Sequence, residues 1–465
     1  MSSASAVPGT PHRVSSVWLF LPAVAAGFAV FSLGRSPAML LAGVAGVTGI
    51  VLLLRYPEFA LALYIVIGDI KGDNRISSLV PVDLTLAVGA VLLAGIFLSL
   101  LRRMRPLPLP RVFLVFVPLV AWMLASLSYT PVAEAGAEKL GRFLTVTGIV
   151  IVAPFFVLTT PRAMKRFFAG FAAGAFAICA YSLTGLGGDE RLASPSDNTI
   201  GLGHVACSLF LVLWFLLLPG RPFHRRWLAY PLLAVPALAL IGSGSRGPVI
   251  ALLILVLLSL YLHRRLIADI AVLALLGLFA IPLAGLPQAS LDYLGSVLGC
   301  HNFADVVASR ADLVSFAWDL LKQHPLLGVG LEGYRFHSLN AGVYKWPHNI
   351  FLEVACELGL PAFVLLAVIF GGALRAALLQ LRDRSNPFPV LSQLAAALLL
   401  AGVINATNTG DINSDRLTWL FVALVFVVRG LADRYSSSPS LSAASLAGSR
   451  PGTALPTSFV SAEPV

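Results

Sequence analysis

The chain has 465 residues, of which 58% are apolar and only 12% charged. A soluble globular protein runs at about 45–50% apolar and about 25% charged, so a cytosolic enzyme, a secreted domain and a disordered chain are excluded. The formal net charge is +10, but the basic residues sit in short clusters between apolar runs, a pattern of membrane topology and not of nucleic-acid binding.

A membrane-crossing helix needs about 20 largely apolar residues. In chain order, such runs are predicted at 17–33, 38–54, 57–68, 82–101, 112–128, 140–158, 164–185, 202–219, 227–243, 248–262, 266–286, 350–373, 389–407 and 416–431. The fold class is therefore all-α, a polytopic integral membrane protein with about 12–14 transmembrane helices. The first run is too long, and followed by too many others, for a cleavable signal peptide. Residues 1–16 are read as a tail, 17–435 as the membrane domain, and the Ser-, Ala- and Pro-rich 436–465 as disordered. With the N-terminus inside, 20 of the 32 Lys and Arg fall in inside segments and 12 outside. That asymmetry predicts two cytoplasmic termini.

The outside segment 287–349 is about 63 residues long, so it is expected to carry structure or function of its own. Within it, Val306, Leu313, Phe316, Ala317 and Leu320 recur at helical spacing, which predicts a helix from Asp305 to Lys322. Pro325, Gly328 and Gly330 then break the chain. The four cysteines are dispersed: Cys179, Cys207 and Cys356 lie in or beside apolar runs, and Cys300 stands alone in a loop. Neither a metal site nor a redox pair is indicated.

Outside arginines need a reason that topology does not supply. Gly242-Ser243-Gly244-Ser245-Arg246-Gly247-Pro248 joins two apolar runs. Its Pro248 suits a first helical turn, and the free N–H groups of a helix start beside small residues form an anion pocket. Arg246 would add a bidentate fork suited to phosphate; the plainer reading is a tight hairpin with one solvated arginine. Ser309-Arg310 sits near the start of the loop helix, where anions are also favoured, or else on its wet face. Trp346-Pro347-His348-Asn349 directly precedes the next run. A helix start and nearby arginines both disfavour imidazolium, so His348 should be a neutral base. Asn349, Glu353 and Glu357 share one helical face. Two carboxylates there are costly unless paired or facing a cavity, and loop arginines are their expected partners. Arg191 with Asp197, Asn198 and His204, and Asp411 to Arg416, complete the candidates; each group also reads as an ordinary polar connector. The chain has no GxxxxGKS/T, HExxH or GxSxG segment, so ATP hydrolysis, zinc proteolysis and serine hydrolysis have no support.

These pieces, in this order, resemble the O-antigen ligase and polymerase superfamily of bacterial envelope glycan assembly. Ser245-Arg246-Gly247 looks like its turn between two spans. Arg310, Trp318, His324-Pro325-Leu326-Leu327-Gly328-Val329-Gly330 and Tyr334 look like its loop motif. His348-Asn349, with Glu357-Leu358-Gly359-Leu360-Pro361 behind, looks like the motif opening the next helix. The core of the likeness is 242–361, within a membrane core of about 140–431. His204 stands where the family often has Arg.

The resemblance implies a glycosyltransferase of the bacterial inner membrane that takes a glycan from undecaprenyl diphosphate at the outer face. It implies Arg246 and Arg310 as diphosphate ligands, with Arg191 as a third, and His348 as general base. Asn349, Tyr334 and Arg416 complete the expected substrate-binding set, with no metal and no cofactor. Expected partners are the lipid-linked donor, a glycan or lipid acceptor, membrane lipids and a chain-length regulator, and no nucleic acid. The leading expectation is a polymerase of lipid-linked repeats. The alternatives are a ligase onto lipid A-core and, from another class, a lipid-linked oligosaccharide flippase. Transporters place charged sites near the midplane, whereas the candidates here lie at one face.

Overall fold

The computed structural model describes residues 37–73, 83–219, 222, 224, 226–295, 303–340, 346–408 and 411–437. These residues form helices and no strand: α1 Pro37–Arg55, α2 Pro57–Val66, α3 Leu84–Leu101, α4 Phe116–Ser126, α5 Ala133–Arg142, α6 Gly148–Val157, α7 Pro161–Ser182, α8 Thr199–Leu217, α9 Ala229–Gly242, α10 Arg246–Leu262, α11 Ile267–Ala284, α12 Gln288–Gly295, α13 Phe303–Gln323, α14 Gly333–Asn340, α15 Ile350–Arg382, α16 Pro389–Ala406 and α17 Arg416–Ser436. The chain is an all-α polytopic membrane protein. The predicted run 17–33, the tail 1–16, Cys300 and residues 438–465 lie outside the described residues.

Among the described residues, six helical segments are long and apolar enough to cross a membrane: Leu84–Leu101, Ala133–Val157, Pro161–Gly185, Thr199–Leu217, Ile350–Arg382 and Pro389–Ala406. The second joins α5 to α6 through a π-helical turn, Phe143–Thr147. Gly46–Arg55 and Pro57–Asp69 meet at 114°, the geometry of a broken span or a re-entrant segment. The predicted runs at 112–128, 227–243 and 248–262 become shorter apolar helices. The run at 227–243 forms the 14-residue α9, about 21 Å long at about 1.5 Å per residue, against a hydrocarbon core of about 30 Å.

Side chains set several helix starts. Asp83 caps α3 by accepting from the N–H groups of Thr85 (2.7 Å) and Leu86 (3.3 Å), and Thr160, followed by Pro161, caps α7. Such caps satisfy N–H groups that have no partner within the helix. The main core is one continuous apolar cluster in which α8 and α16 are mostly buried and the apolar run of α17 almost wholly so. The predicted loop helix is present as α13. With α14 and the start of α15 it builds a second small core around Ala317, Leu321, Val329, Tyr334 and Cys356.

The bundle has two chemically different ends. At one, Arg166 pairs with Glu58, and Arg434 donates to the carbonyls of Pro106 (2.8 Å), Arg105 and Thr159 (both 3.3 Å). At the other end lie the candidate site residues.

Candidate functional site at one end of the bundle

Helices that start at this end include α8 at Thr199, α10 at Arg246, α15 at Ile350 and α17 at Arg416. Their first N–H groups carry partial positive charge. Asn198 caps α8 (Oδ1 to Gly201 N, 2.8 Å). Ser245 donates its hydroxyl to the Thr199 carbonyl at 2.9 Å, which ties the turn before α10 to the start of α8. Gly203 allows this approach, since a Cβ there would lie 2.7 Å from the Ser245 Cβ. Arg191, remote in sequence, grips the same turn: its Nε and Nη2 donate to the Ser243 carbonyl at 2.9 and 2.6 Å. Arg191 and the Ser245-Arg246-Gly247 turn are thus brought together.

The C-terminal end of α16 is the common neighbour of the remaining pieces. Gly247 faces Asn408 and Asn405 there, with a Cβ at Gly247 falling 3.4 Å from the Asn408 Cβ and 3.6 Å from the Asn405 Oδ1. Asn349 donates its amide to the Thr407 carbonyl at 3.3 Å and caps α15 by accepting from Leu352 N at 3.0 Å. Thr418 of α17 donates to the Gly402 carbonyl at 3.0 Å. The residues beside Arg246 and beside His348 therefore meet one helix end. His348 itself is half-buried and has φ +50°, a left-handed conformation that costs a side-chain-bearing residue about 1–3 kcal/mol and persists only where the surroundings impose it.

Glu353 and Glu357 are paired, but not with arginines. The Lys139 Nζ lies 2.5 Å from Glu353, 2.8 Å from Glu357 and 3.6 Å from Glu332, and all four groups are buried. Glu353 also accepts from Ile412 N at 3.0 Å, and Asn413 donates to the Lys139 carbonyl at 2.9 Å. One cation therefore joins α5, α15, the large loop and the segment before α17. Sequence reasoning did not single out Lys139. A lysine heading an apolar run is as costly as a carboxylate there, so the signal was present.

The loop motif has a structural task. α15 breaks at Gly359 (φ +78°), and Pro361 has no N–H to offer the Glu357 carbonyl. The loop supplies part of what the helix lacks, Val329 N donating to the Cys356 carbonyl (3.0 Å) and Gly330 N to that of Glu357 (2.7 Å), and Trp122 of α4 donates its Nε1 to the Leu358 carbonyl (2.8 Å). Buried backbone acceptors need such partners. The contact is too close for a side chain, because a Cβ on Gly328 would collide with the Glu357 backbone and one on Gly359 with the Leu326 carbonyl. Tyr334 is fully buried in the loop's own core, edge-on to Phe316, with its hydroxyl donating to the Leu313 carbonyl at 3.4 Å. That burial pushes its hydroxyl above the usual phenol range. Arg310 lies on α13, and its side chain is outside the described residues.

Arg416 opens onto a cavity of about 200 Å³ with Asp69, Asn198, His204 and Asp415 on its walls. Among the described residues, no hydrogen-bond partner meets the buried Nη1 of Arg416. Asp415 caps α17, its Oδ1 accepting from Thr418 N at 3.4 Å, and its Oδ2 lies 2.7 Å from the Thr418 hydroxyl. Burial pushes its carboxyl up to about 7, against the pull of the two hydrogen bonds from Thr418. The arrangement as a whole offers fixed positive charge, helix-start N–H groups and two imidazoles, those of His204 and His348, at a single boundary, which suits a phosphate-bearing ligand and a proton transfer.

No curated protein matches the chain. Residues 231–367, the stretch that holds Arg246, Arg310, Tyr334 and His348, match the family model described as O-antigen ligase; over that stretch the chain is similar to the O-antigen ligase and polymerase superfamily, within a chain that carries apolar helices long enough to cross a membrane.

Proposed function

We propose that the protein transfers an oligosaccharide from undecaprenyl diphosphate to a sugar hydroxyl at the outer face of the cytoplasmic membrane, extending a chain of repeat units. The observation that carries this reading is the convergence of the Arg246 turn and the His348–Asn349 turn on the C-terminal end of α16. Diphosphate is a good leaving group, so the protein's work is to neutralise its charge and position the acceptor. Arg246 and Arg310 hold the diphosphate, and Arg191 braces the Arg246 turn and adds its charge. Arg416 and Asn349 line the approach for glycan. His348 accepts the proton of the acceptor hydroxyl as its oxygen bonds to the anomeric carbon. The bond from that carbon to the diphosphate oxygen breaks, and undecaprenyl diphosphate leaves. One displacement inverts the anomeric centre. General-base assistance of this kind is worth about 10²–10⁴-fold in rate. In this reading the basic end of the bundle, with Arg166 and Arg434, faces the cytoplasm.

A second reading, transfer of the finished glycan to lipid A-core or another acceptor, is favoured by the description of the matching family. Both readings share donor and chemistry. The test is complementation by the wild type and by His348→Ala at matched membrane expression, with the polysaccharide resolved by chain length. Loss of assembly with lipid-linked material accumulating outside is expected. Single repeats accumulating identifies a polymerase, and long chains a ligase. Full complementation by His348→Ala would overturn the mechanism and move a lipid-linked oligosaccharide flippase to the front.

A further inference from the structure

A cavity of about 750 Å³ opens at the end of the bundle opposite His348, a size typical of a small-ligand site. One wall is a stripe of α15, Val368, Gly371, Gly372, Arg375 and Leu379, at helical spacing. The facing wall is a stripe of α17, Phe426, Arg429, Gly430 and Asp433. Pro108 to Val112 closes one side and brings Arg111. The small residues make the room: a Cβ on Gly371 would meet nothing within 4 Å.

The charge in this cleft is unbalanced. Arg111, Arg375 and Arg429 face one acid, Asp433, which lies 4.0 Å from the Arg429 Nε. Among the described residues, Arg111 and Arg375 have no ion-pair partner. Topology accounts for basic residues at this end of the bundle but not for three from separate segments sharing one cleft. The rim is apolar, with Leu109, Val368 and Leu379 each about half exposed. Arg429 precedes Arg434 on α17 by little more than one turn, and Arg434 binds the Arg105 and Pro106 carbonyls just before the Pro108–Val112 segment. The cleft therefore lies at the basic boundary of the bundle, the level at which lipid head groups meet basic side chains.

We propose that this cleft binds an anionic diacyl phospholipid. The phosphodiester sits between Arg111, Arg375 and Arg429, and the acyl chains lie along Leu109, Val368 and Leu379. Basic pockets between membrane helices at this depth select anionic head groups, and arginine offers phosphate a planar fork of donors. The site is remote from the glycan chemistry and does not depend on it.

The test uses the full chain, purified in detergent and stripped of lipid, with binding read by native mass spectrometry. The probes are phosphatidylglycerol and phosphatidylcholine of identical acyl chains. Phosphatidylglycerol should bind preferentially. Arg111→Gln with Arg375→Gln should weaken it about 30-fold, taking about 1 kcal/mol per basic side chain. The corresponding Lys substitutions should keep the preference for the anionic lipid. Gly371→Phe should remove binding by filling the cleft while leaving every charge in place, and it tests the site even if the double variant fails to fold. Equal binding of the two lipids, or undiminished phosphatidylglycerol binding by both the Gln double variant and Gly371→Phe, would overturn the proposal. Complete displacement by glycerophosphoglycerol, the head group alone, would also overturn it, since the acyl contacts would then contribute nothing.

Discussion

Lys139→Met tests the central joint of the fold. The lysine Nζ holds Glu353 at 2.5 Å, Glu357 at 2.8 Å and Glu332 at 3.6 Å, and its side chain and those of Glu353 and Glu357 are at most 3% exposed. Replacing it with an apolar side chain of similar length preserves volume but leaves three carboxylates where water cannot solvate them. Removing one partner of a buried ion pair costs about 3–5 kcal/mol, because the remaining charge loses its compensation. Glu332 retains Arg335 at 3.6 Å, so most of the loss falls on the other two. SDS-induced unfolding of the purified full chain in mixed micelles should show that loss. Adding Glu353→Gln and Glu357→Gln to Lys139→Met should restore a substantial part of it, since neutral amides are cheaper to bury than unpaired carboxylates. A Lys139→Met protein within about 0.5 kcal/mol of wild type, the range of a surface substitution, would refute the reasoning. So would a triple variant no more stable than the single one.

Gly359→Ala should destabilise by at least about 1–3 kcal/mol, from strain at φ +78° and the collision with Leu326; the same unfolding assay measures it, alongside faster protease cleavage of the 303–340 region. Asp415 sets a pH dependence. Its folded pKa of about 7 lies above the ordinary 3.8, so the folded state holds a proton that the unfolded state has released. Its contribution to stability is full below about pH 4, falls as pH rises through that window at no more than about 1.4 kcal/mol per unit, and levels off above about 7. Asp415→Asn should flatten the slope between those limits. Transfer activity in purified membranes should survive EDTA, because arginines neutralise the diphosphate in the proposed mechanism. Activity lost to EDTA and restored only by a divalent metal would contradict it.

The sequence was most informative where short-range physics decides. The loop helix between Asp305 and Lys322 was legible because Leu313, Ala317 and Leu320 recur at helical spacing and must bury that face. Asn349 reads as a helix cap because its side chain can satisfy an N–H that the helix cannot. The cost of Glu353 and Glu357 in an apolar run was equally plain; their partner was not. Lys139 lies 214 residues from Glu353, and a lysine and an arginine look alike to a rule that asks only for positive charge. The loop motif showed two glycines after a proline, but not the broken helix 26 or more residues downstream whose carbonyls it meets.

Sequence alone therefore determined the solvent of this protein and the character of its elements: a lipid-embedded all-α chain, a long structured loop, and arginines and a histidine grouped between apolar runs. Those properties follow from composition and local periodicity. Tertiary structure decided which ends meet: Arg191 on the carbonyl of Ser243, Asn349 on the carbonyl of Thr407, and Val329 and Gly330 on the break in α15. Each is a hydrogen bond between segments far apart in the chain. The backbone groups involved are the same at every residue, so only the packing of the helices selects which donor finds which acceptor.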